Sequence, residues 1–262
     1  MAEKTNSKKR SPTFPDFLHV IELGGCSSTN DFLKENLPTL ESRLPLMVRA
    51  DWQSAGRGRN RRGWFSPPHQ GLYVSLAFIL TRRPGLQLLP LVAGIGAIEA
   101  LAEICAQPLD LKWPNDILCQ GRKLAGILVE SVVTGERVVA IVGIGVNLSQ
   151  QSGDFPADLL NRACSLKMLD AVDDDATMVA ARLAHRFFAW LTILEQGRTK
   201  AIVRAANRHS HFLTGRDIAF HGDRGVIRGR YGGIAADGGM ILELPGGEKV
   251  IHYSGEIDPS GG

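Results

Sequence analysis

The order of strand-like and helix-like segments is the feature that most restricts the fold of this chain. Apolar runs typical of strands surround one long segment typical of a buried helix, in the order 46–50 (strand), 71–80 (strand), 88–105 (helix), 109–116, 123–133 and 137–148 (strands). Strands and helices do not alternate regularly, as they would in a doubly wound parallel sheet. The pattern therefore predicts an α+β fold in which a mixed β-sheet packs against helices.

Two further helices are predicted from their ends and their apolar stripes. A Ser/Thr turn precedes residues 31–37, so Thr29 or Asn30 is expected to cap a helix there. Acidic residues open the segment 173–197, where the helix dipole favours them. Its apolar residues fall on one helical face, which comprises Val179, Leu183, Phe187, Trp190 and Leu194.

The pattern of apolar and turn residues in the sequence changes after Asn207. Short β-type runs separated by GG, DGG and PGG turns occupy residues 212–258, namely DIAFHG, GVIRGRY, MILEL and KVIHYS. This spacing predicts a small β-barrel or sandwich. We therefore expect a flexible tail at 1–15, a main domain at 16–208 and a small domain at 209–262.

Composition excludes several classes of protein. The chain has 262 residues, a net charge of +3 and 44% hydrophobic residues, which is ordinary for a globular protein. No apolar run approaches the roughly 20 residues that span a bilayer, and the N-terminus lacks the apolar stretch of a secretory signal. The scattered cysteines show no zinc-site spacing and are typical of reduced thiols: Cys26, Cys105, Cys119 and Cys164. We expect a soluble, cytoplasmic protein without membrane contact.

Residues 51–66, DWQSAGRGRNRRGWFS, concentrate positive charge on a glycine-rich segment that ends in Trp64 and Phe65. Three interpretations are open: a solvated basic loop, a nucleic-acid patch in which arginine and an aromatic ring bind phosphate and base, or a loop that closes over a ligand. The low net charge of the whole chain disfavours nucleic acid.

The usual nucleotide-binding motifs are absent or incomplete. A Walker A loop occurs nowhere, and GIGAIE at 94–99 and GIGVNL at 143–148 contain only the first two glycines of a dinucleotide fingerprint. Any nucleotide must therefore be held by something other than a preformed phosphate cradle.

Five segments occur in a specific order: SSTN at 27–30, QSAGRGRNRRGW at 53–64, KWPND at 112–116, RKLAGILVE at 122–130 and GIGVNL at 143–148. This ordered set resembles the biotin protein ligases, a family that attaches biotin to a lysine of biotin-dependent carboxylases. The resemblance covers roughly residues 20–150, and the C-terminal part, with SGEI at 254–257, is similar more loosely to the family's small SH3-like β-barrel.

The resemblance implies a two-step reaction with ATP, biotin and Mg²⁺. Biotin is first activated as biotinoyl-5′-AMP, and the acyl group then passes to a lysine of a biotin carboxyl carrier protein or domain. Negative charge accumulates as pyrophosphate departs, so fixed cations are the main catalytic resource. Arg57, Arg59 and Lys112 match the family positions that supply these charges, and they are the expected catalytic residues.

The same resemblance assigns the binding residues. Biotin contacts are expected from Ser28, Thr29, Asn30, Gln53, Arg57, Gly58, Arg59, Lys112 and Gly126. ATP contacts are expected from Arg57, Arg59, Trp64, Lys112, Asn115 and Asn147, and Asp116 is the candidate Mg²⁺ ligand. Structural alternatives stay open: SSTN also suits a helix cap, Trp64 could anchor the loop on the core, and Asn115 with Asp116 could form the turn after Pro114.

Gly56, Gly58 and Gly63 suit a loop that opens for substrates and then closes over the acyl-adenylate, which excludes water. The chain departs from the family pattern in two places. Arg61 stands where the family carries glycine, and the residues after GEI are DPSGG, without a basic residue. Because SSTN begins at residue 27, we expect a short form without an N-terminal helix-turn-helix, and hence no specific DNA binding.

Two rival functions are compatible with parts of the pattern. A lipoate-type ligase or octanoyl transferase has similar architecture and also acylates a carrier lysine, although KWPND with the GRGR loop favours biotin. A non-catalytic biotin- or nucleic-acid-binding module is the second rival, but biotin capture alone does not require cations that handle a triphosphate. An exposed sheet edge would allow pairing with the carrier domain or formation of a homodimer.

Overall fold

The computed structural model describes residues 13–81, 83–171, 175–222 and 225–259. Most of the predicted tail at 1–15 lies outside these ranges. So do Asp173 and Asp174 at the predicted helix start, and the last three residues of the chain.

The main structural unit is a seven-stranded sheet. Its strands are β1 (His19–Leu23), β2 (Leu46–Ala50), β3 (Gly71–Leu80), β4 (Leu109–Lys112), β5 (Asp116–Cys119), β6 (Arg122–Thr134) and β7 (Arg137–Asn147). They lie in the order β1-β2-β3-β7-β6-β5-β4. The β1–β2 pair is parallel and the other pairs are antiparallel, so the predicted mixed sheet is confirmed.

Helices cover both faces of this sheet. Helix α1 (Thr29–Leu40) packs Leu33 and Leu37 against Leu46 and Val48 of β2 on one face. The next residue in register, Met47, points to the opposite face, as strand alternation requires. Burial of each leucine side chain contributes roughly 1.5–3 kcal/mol of stabilisation.

Three helices lie on the opposite face: α2 (Leu89–Leu101), α3 (Ala176–Glu195) and α4 (Thr199–Arg208). The predicted helix at 173–197 is confirmed in α3, where Asp175 caps the N-terminus by accepting a hydrogen bond from the Met178 amide at 2.8 Å. Its predicted stripe is buried except at Trp190, which packs against the core while partly exposed.

The C-terminal runs form a second sheet, with strands β8 (Asp217–Gly222), β9 (Gly225–Ile234), β10 (Met240–Glu243), β11 (Lys249–His252) and β12 (Glu256–Pro259). All pairs are antiparallel, in the order β11-β10-β9-β8-β12. Among the described residues the end strands β11 and β12 do not pair with each other. Closure into a barrel therefore stays a prediction.

The two sheets are joined by backbone and side-chain hydrogen bonds. The Leu111 amide donates to the His209 carbonyl at 2.6 Å, and the His211 amide donates to the Leu111 carbonyl at 3.0 Å. The buried Trp113 indole donates to the Gly238 carbonyl at 3.0 Å. Apolar residues of both sheets share one core. The boundary at 208 stays a prediction, but the parts on either side of it are packed together.

Within the described ranges, no helix has the length and apolar character that crossing a membrane would require.

Candidate active site

The site begins at the N-terminus of α1. Ser28 has extended backbone angles, and its hydroxyl accepts from the Asp31 amide at 3.5 Å, so Ser28 is the helix cap. The expectation that Thr29 or Asn30 would be the cap is wrong. Both side chains are instead buried and turned towards the sheet.

Thr29 and Asn30 join a buried polar network with Gln53 and Ser75. The Gln53 Oε1 atom accepts from the Thr29 amide at 2.9 Å and lies 3.2 Å from the Thr29 hydroxyl. The Ser75 Oγ atom lies 2.7 Å from Thr29 Oγ1 and 2.6 Å from Asn30 Oδ1. The structure therefore brings together three residues predicted as biotin contacts, and it adds Ser75.

This network contains fewer hydroxyl protons than oxygen–oxygen contacts. The oxygens of Gln53, Thr29, Ser75 and Asn30 form a chain of three contacts, but only its two hydroxyl groups carry a proton. The amide orientations are fixed, because Gln53 Nε2 donates to Ser66 Oγ at 3.0 Å and Asn30 Nδ2 donates to a Glu130 oxygen at 2.8 Å. The network is thus rich in acceptors, and its chemistry suits an uncharged ligand that carries N–H groups.

The basic segment forms a hairpin. Arg57 pairs with Gly63, the Gly58 amide donates to the Arg62 carbonyl at 2.8 Å, and the Arg62 amide donates to the Arg59 carbonyl at 3.1 Å. The two residues at the tip have positive φ angles, 54° at Asn60 and 58° at Arg61. Two positive φ angles are typical of a tight hairpin turn that favours asparagine followed by glycine. The arginine at 61 therefore strains the backbone.

We expect Arg61→Gly to stabilise this hairpin by about 1 kcal/mol, because glycine adopts a left-handed conformation without the steric cost of a Cβ atom. Hydrogen exchange at the Gly58 and Trp64 amides should slow roughly fivefold. Arg61→Ala is the matched control, since it removes the same side chain and keeps the Cβ atom. Equal slowing in both variants would show that charge, and not backbone strain, is responsible.

The cations of the hairpin have partners at two different places. Arg57 forms ion pairs with Asp31 and Glu130, next to the polar network. Arg59 donates to Asn115 Oδ1 at 3.2 Å and to the Gly255 carbonyl at 3.3 Å, and burial lowers the pKa of its guanidinium. Arg62 pairs with Glu256. The hairpin thus spans from α1 to the C-terminal sheet.

Lys112 also contacts the C-terminal sheet, where its Nζ atom lies 3.1 Å from Asp258. The three predicted catalytic cations do not converge on one point. Arg57 lies at the polar network, while Arg59 and Lys112 lie at the segment 255–258 of the second sheet.

A second lysine lies in the site. Lys123 Nζ is 5.3 Å from the centre of the Trp64 ring, a cation–π contact, and 2.8 Å from Asp116. A Cβ atom on Gly126 would lie 3.0 Å from the same ring. Lys123 had no predicted role, although it lies in RKLAGILVE, one of the five segments.

The glycines of GIGVNL have a structural explanation. Gly143 and Gly145 lie within β7, paired on both sides, so they form no phosphate loop. A Cβ atom on Gly143 would lie 2.5 Å from Asn30 Oδ1, and one on Gly145 would overlap the Trp64 indole. These glycines make room for two site side chains. The Trp64 Nε1 atom is buried and has no hydrogen-bond partner among the described residues.

The remaining predicted residues support the backbone around the site. Asn147 is buried, and its amide donates to the Cys164 carbonyl at 2.9 Å. Asn115 donates to the Ile127 carbonyl at 2.7 Å while it accepts from Arg59. Both amides therefore already have protein partners.

A cavity of about 250 Å³ adjoins these residues. Its lining includes Arg59, Trp113, Asn115, Glu130 and Tyr253, so it lies between the hairpin, β6 and the second sheet. It provides space for a ligand or an incoming side chain next to Arg59.

Fold and site together define a class of protein. Residues 25–147 match the model of the Biotin/lipoate A/B protein ligase family. The bifunctional ligase/repressor BirA of Bacillus spizizenii is 35% identical, over 92% of this chain and 74% of its own length. The chain belongs to the biotin protein ligases of this family, as its five motifs predicted.

Further relatives agree. The biotin--[acetyl-CoA-carboxylase] ligase of Paracoccus denitrificans is 31% identical, over 87% of this chain and 96% of its own length. The biotin protein ligase of Aquifex aeolicus, solved in complex with biotin and ATP, superposes with a TM-score of 0.76 at 30% identity and covers 92% of this chain and 97% of its own.

Proposed function

We propose that the protein activates biotin with ATP and transfers the biotinoyl group to a lysine of a biotin carboxyl carrier protein or domain. The observation that carries this proposal is the junction of two chemically different surfaces. An acceptor-rich polar network around Thr29, Gln53 and Ser75 lies directly beside the arginine hairpin. A ureido ring donates N–H groups and a carboxylate requires cations, so the network and the hairpin would supply partners for the two ends of biotin.

In the first step a biotin carboxylate oxygen attacks the α-phosphorus of ATP. A P–O bond forms, the bond to the β-phosphate oxygen breaks, and its electron pair leaves with pyrophosphate. In the second step the neutral amine of the carrier lysine attacks the anhydride carbonyl, AMP leaves, and the amine proton is released. Negative charge develops on the leaving group in both steps, so fixed cations lower the activation barriers.

We assign these cations to Arg57, Arg59 and Lys112, and we add Lys123. Arg57 is next to the polar network, where the carboxylate end of biotin would lie. Arg59 lines the cavity and Lys112 lies beside Asp258 of the second sheet, and the polyphosphate would extend between them. Lys123 lies over Trp64, which would position it at the reacting α-phosphate if the indole packs against the adenylate.

The remaining assignments follow from this placement. Ser28, Thr29, Asn30 and Gln53 would bind the ureido ring, and Gly58 and Gly126 would allow close approach. Trp64 would contact the adenosine. Asn115 and Asn147 would act mainly through the backbone segments that they hold, since their amides are engaged there.

A Mg²⁺ ion would be held by Asp116 together with the phosphates of ATP. The described residues contain no group of three or more His, Cys, Asp or Glu side chains that could hold a metal. One carboxylate is nevertheless adequate, because protein-bound Mg²⁺ commonly keeps waters and takes most other ligands from substrate phosphates. When bound, the ion would neutralise charge on the leaving pyrophosphate.

The outer edge of β6 is the proposed docking surface for the carrier domain. Strand β5 pairs with β6 only through Gly126, whereas β6 continues to Thr134. Residues 128–134 therefore have no strand partner on that side among the described residues, and Val133 is exposed. Such an edge accepts an added strand, from the carrier or from a second copy as a homodimer. We place the enzyme in the cytoplasm and propose no specific binding to DNA.

The test is an adenylation assay without an acceptor. Protein, ATP and Mg²⁺ are incubated with biotin or with lipoate, and adenylates and pyrophosphate are measured. Biotinoyl-AMP is expected with biotin only, and EDTA should abolish its formation. Lipoyl-AMP alone would make the protein a lipoate-type ligase. The absence of both adenylates would overturn catalysis in favour of a binding module. Addition of a biotin carboxyl carrier domain, with its lysine replaced by arginine as the control, tests the transfer step.

A further inference from the structure

Four charged side chains surround the point where the arginine hairpin meets α1. Lys34 Nζ lies 2.8 Å from Asp31 and 2.9 Å from Glu130, and Arg57 contacts both carboxylates. These side chains are 23–30% exposed. Ion pairs at such exposure contribute only about 0–1 kcal/mol to stability. The cluster is therefore poorly explained as a requirement for folding.

The Asp31 carboxylate accepts two hydrogen bonds from the Arg57 guanidinium. The Arg57 Nε atom donates to Asp31 Oδ2 at 3.1 Å, and the Nη2 atom donates to Asp31 Oδ1. The Nη2 atom also reaches Glu130 Oε2 at 3.4 Å. Among the described residues, no hydrogen bond is made by Nη1. These two hydrogen bonds fix the plane of the guanidinium, and they leave its Nη1 atom to bind an external anion.

The cluster is also connected to the polar network. Asn30 Nδ2 donates to Glu130 Oε2 at 2.8 Å, the same oxygen that Arg57 approaches. Burial raises the pKa of the Asp31 carboxyl, but hydrogen bonds from Lys34 and Arg57 outweigh it and hold that pKa below its ordinary value. The formal charges of the two carboxylates and the two cations sum to zero.

We infer that Asp31 is a positioning residue, which holds the Arg57 guanidinium so that Nη1 binds the free carboxylate of biotin. Asp31 thereby sets the preference of the site for a biotin that carries a carboxylate over one whose side chain ends in an uncharged group. This inference rests on the proposed function.

The test compares two ligands that differ only at that end, biotin and biotin methyl ester. Their dissociation constants are measured by calorimetry for the wild-type protein, for Asp31→Asn and for Glu35→Gln. Glu35 is the matched control, because it is an exposed carboxylate on the same helix. Asp31→Asn is expected to weaken biotin binding about tenfold, as loss of a charge-assisted hydrogen bond requires, and to leave methyl ester binding unchanged. Glu35→Gln should change neither.

An equal loss for both ligands would assign Asp31 a merely structural role, and unchanged biotin binding would also overturn the inference. The second check uses Arg57→Gln as the background. If Asp31 acts through Arg57, adding Asp31→Asn should weaken biotin no further, whereas an additive loss would contradict the inference. A wild-type protein that binds no biotin would overturn the proposed function itself, so the two failures are distinguishable.

Discussion

Replacing Lys123 with methionine is expected to lower the rate of biotinoyl-AMP formation by about 100-fold or more, the effect of removing a single donor that stabilises a developing anion. Methionine keeps the length and the apolar stem of the side chain but removes its charge. Lys123 is held between the Trp64 ring and Asp116, so its ammonium group has a fixed position in the site. A fixed cation requires little reorganisation when charge develops at the phosphate.

Single-turnover kinetics of adenylate formation would measure this loss, with the unfolding temperature recorded in parallel. Lys249→Met is the control, because Lys249 lies far along the second sheet and pairs only with Glu243 among the described residues. Lys112→Met is run beside it. If Lys112→Met abolishes the reaction and Lys123→Met does not, Lys112 is the essential lysine, as the sequence alone predicted.

Replacing Gly143 with alanine is expected to weaken biotin binding by roughly 10- to 100-fold. The new Cβ atom would lie 2.5 Å from Asn30 Oδ1, so the amide must move. Movement breaks its contacts with Ser75 at 2.6 Å and Glu130 at 2.8 Å. A buried polar group that loses its partner costs about 1–3 kcal/mol, and a 10- to 100-fold loss of affinity falls within that range.

Calorimetric titration with biotin measures that effect. Gly153→Ala is the control, since a Cβ atom there meets no neighbour within 4 Å. Unchanged affinity in Gly143→Ala would show that Asn30 does not take part in binding biotin.

Much of the fold could be predicted from local patterns in the sequence. The strand at Leu46–Ala50 and the C-terminal runs are bounded by turn residues, and the amphipathic stripe of α3 repeats over its whole length. The helix cap was wrong by one or two residues, because three consecutive polar side chains can all cap a helix. Only the position of the sheet decides that Thr29 and Asn30 turn inward.

The site was less predictable, because its contacts join distant segments. Ser75 reaches Asn30 only because β3 lies between β2 and β7, and nothing in GLYVSLAFIL marks that serine as functional. The sequence pattern predicted Lys112 as the catalytic lysine and gave no role to Lys123. Their different surroundings depend on the hairpin of β4 and β5, which sends Lys112 towards Asp258 and leaves Lys123 beside Trp64.

The segment 255–258 of the second sheet has a consequence for how a polyphosphate binds. Asp258 already neutralises Lys112, and Glu256 neutralises Arg62. A polyphosphate that binds here, as we propose, would therefore exchange one set of anions for another, instead of adding anions to bare cations. The displaced carboxylates regain their hydration in water, which offsets part of the cost of desolvating the phosphates. Before ATP binds, the net charge of these cations and their carboxylate partners is small, so few counterions gather there. The affinity for ATP should therefore vary less steeply with salt concentration than at an unpaired basic surface.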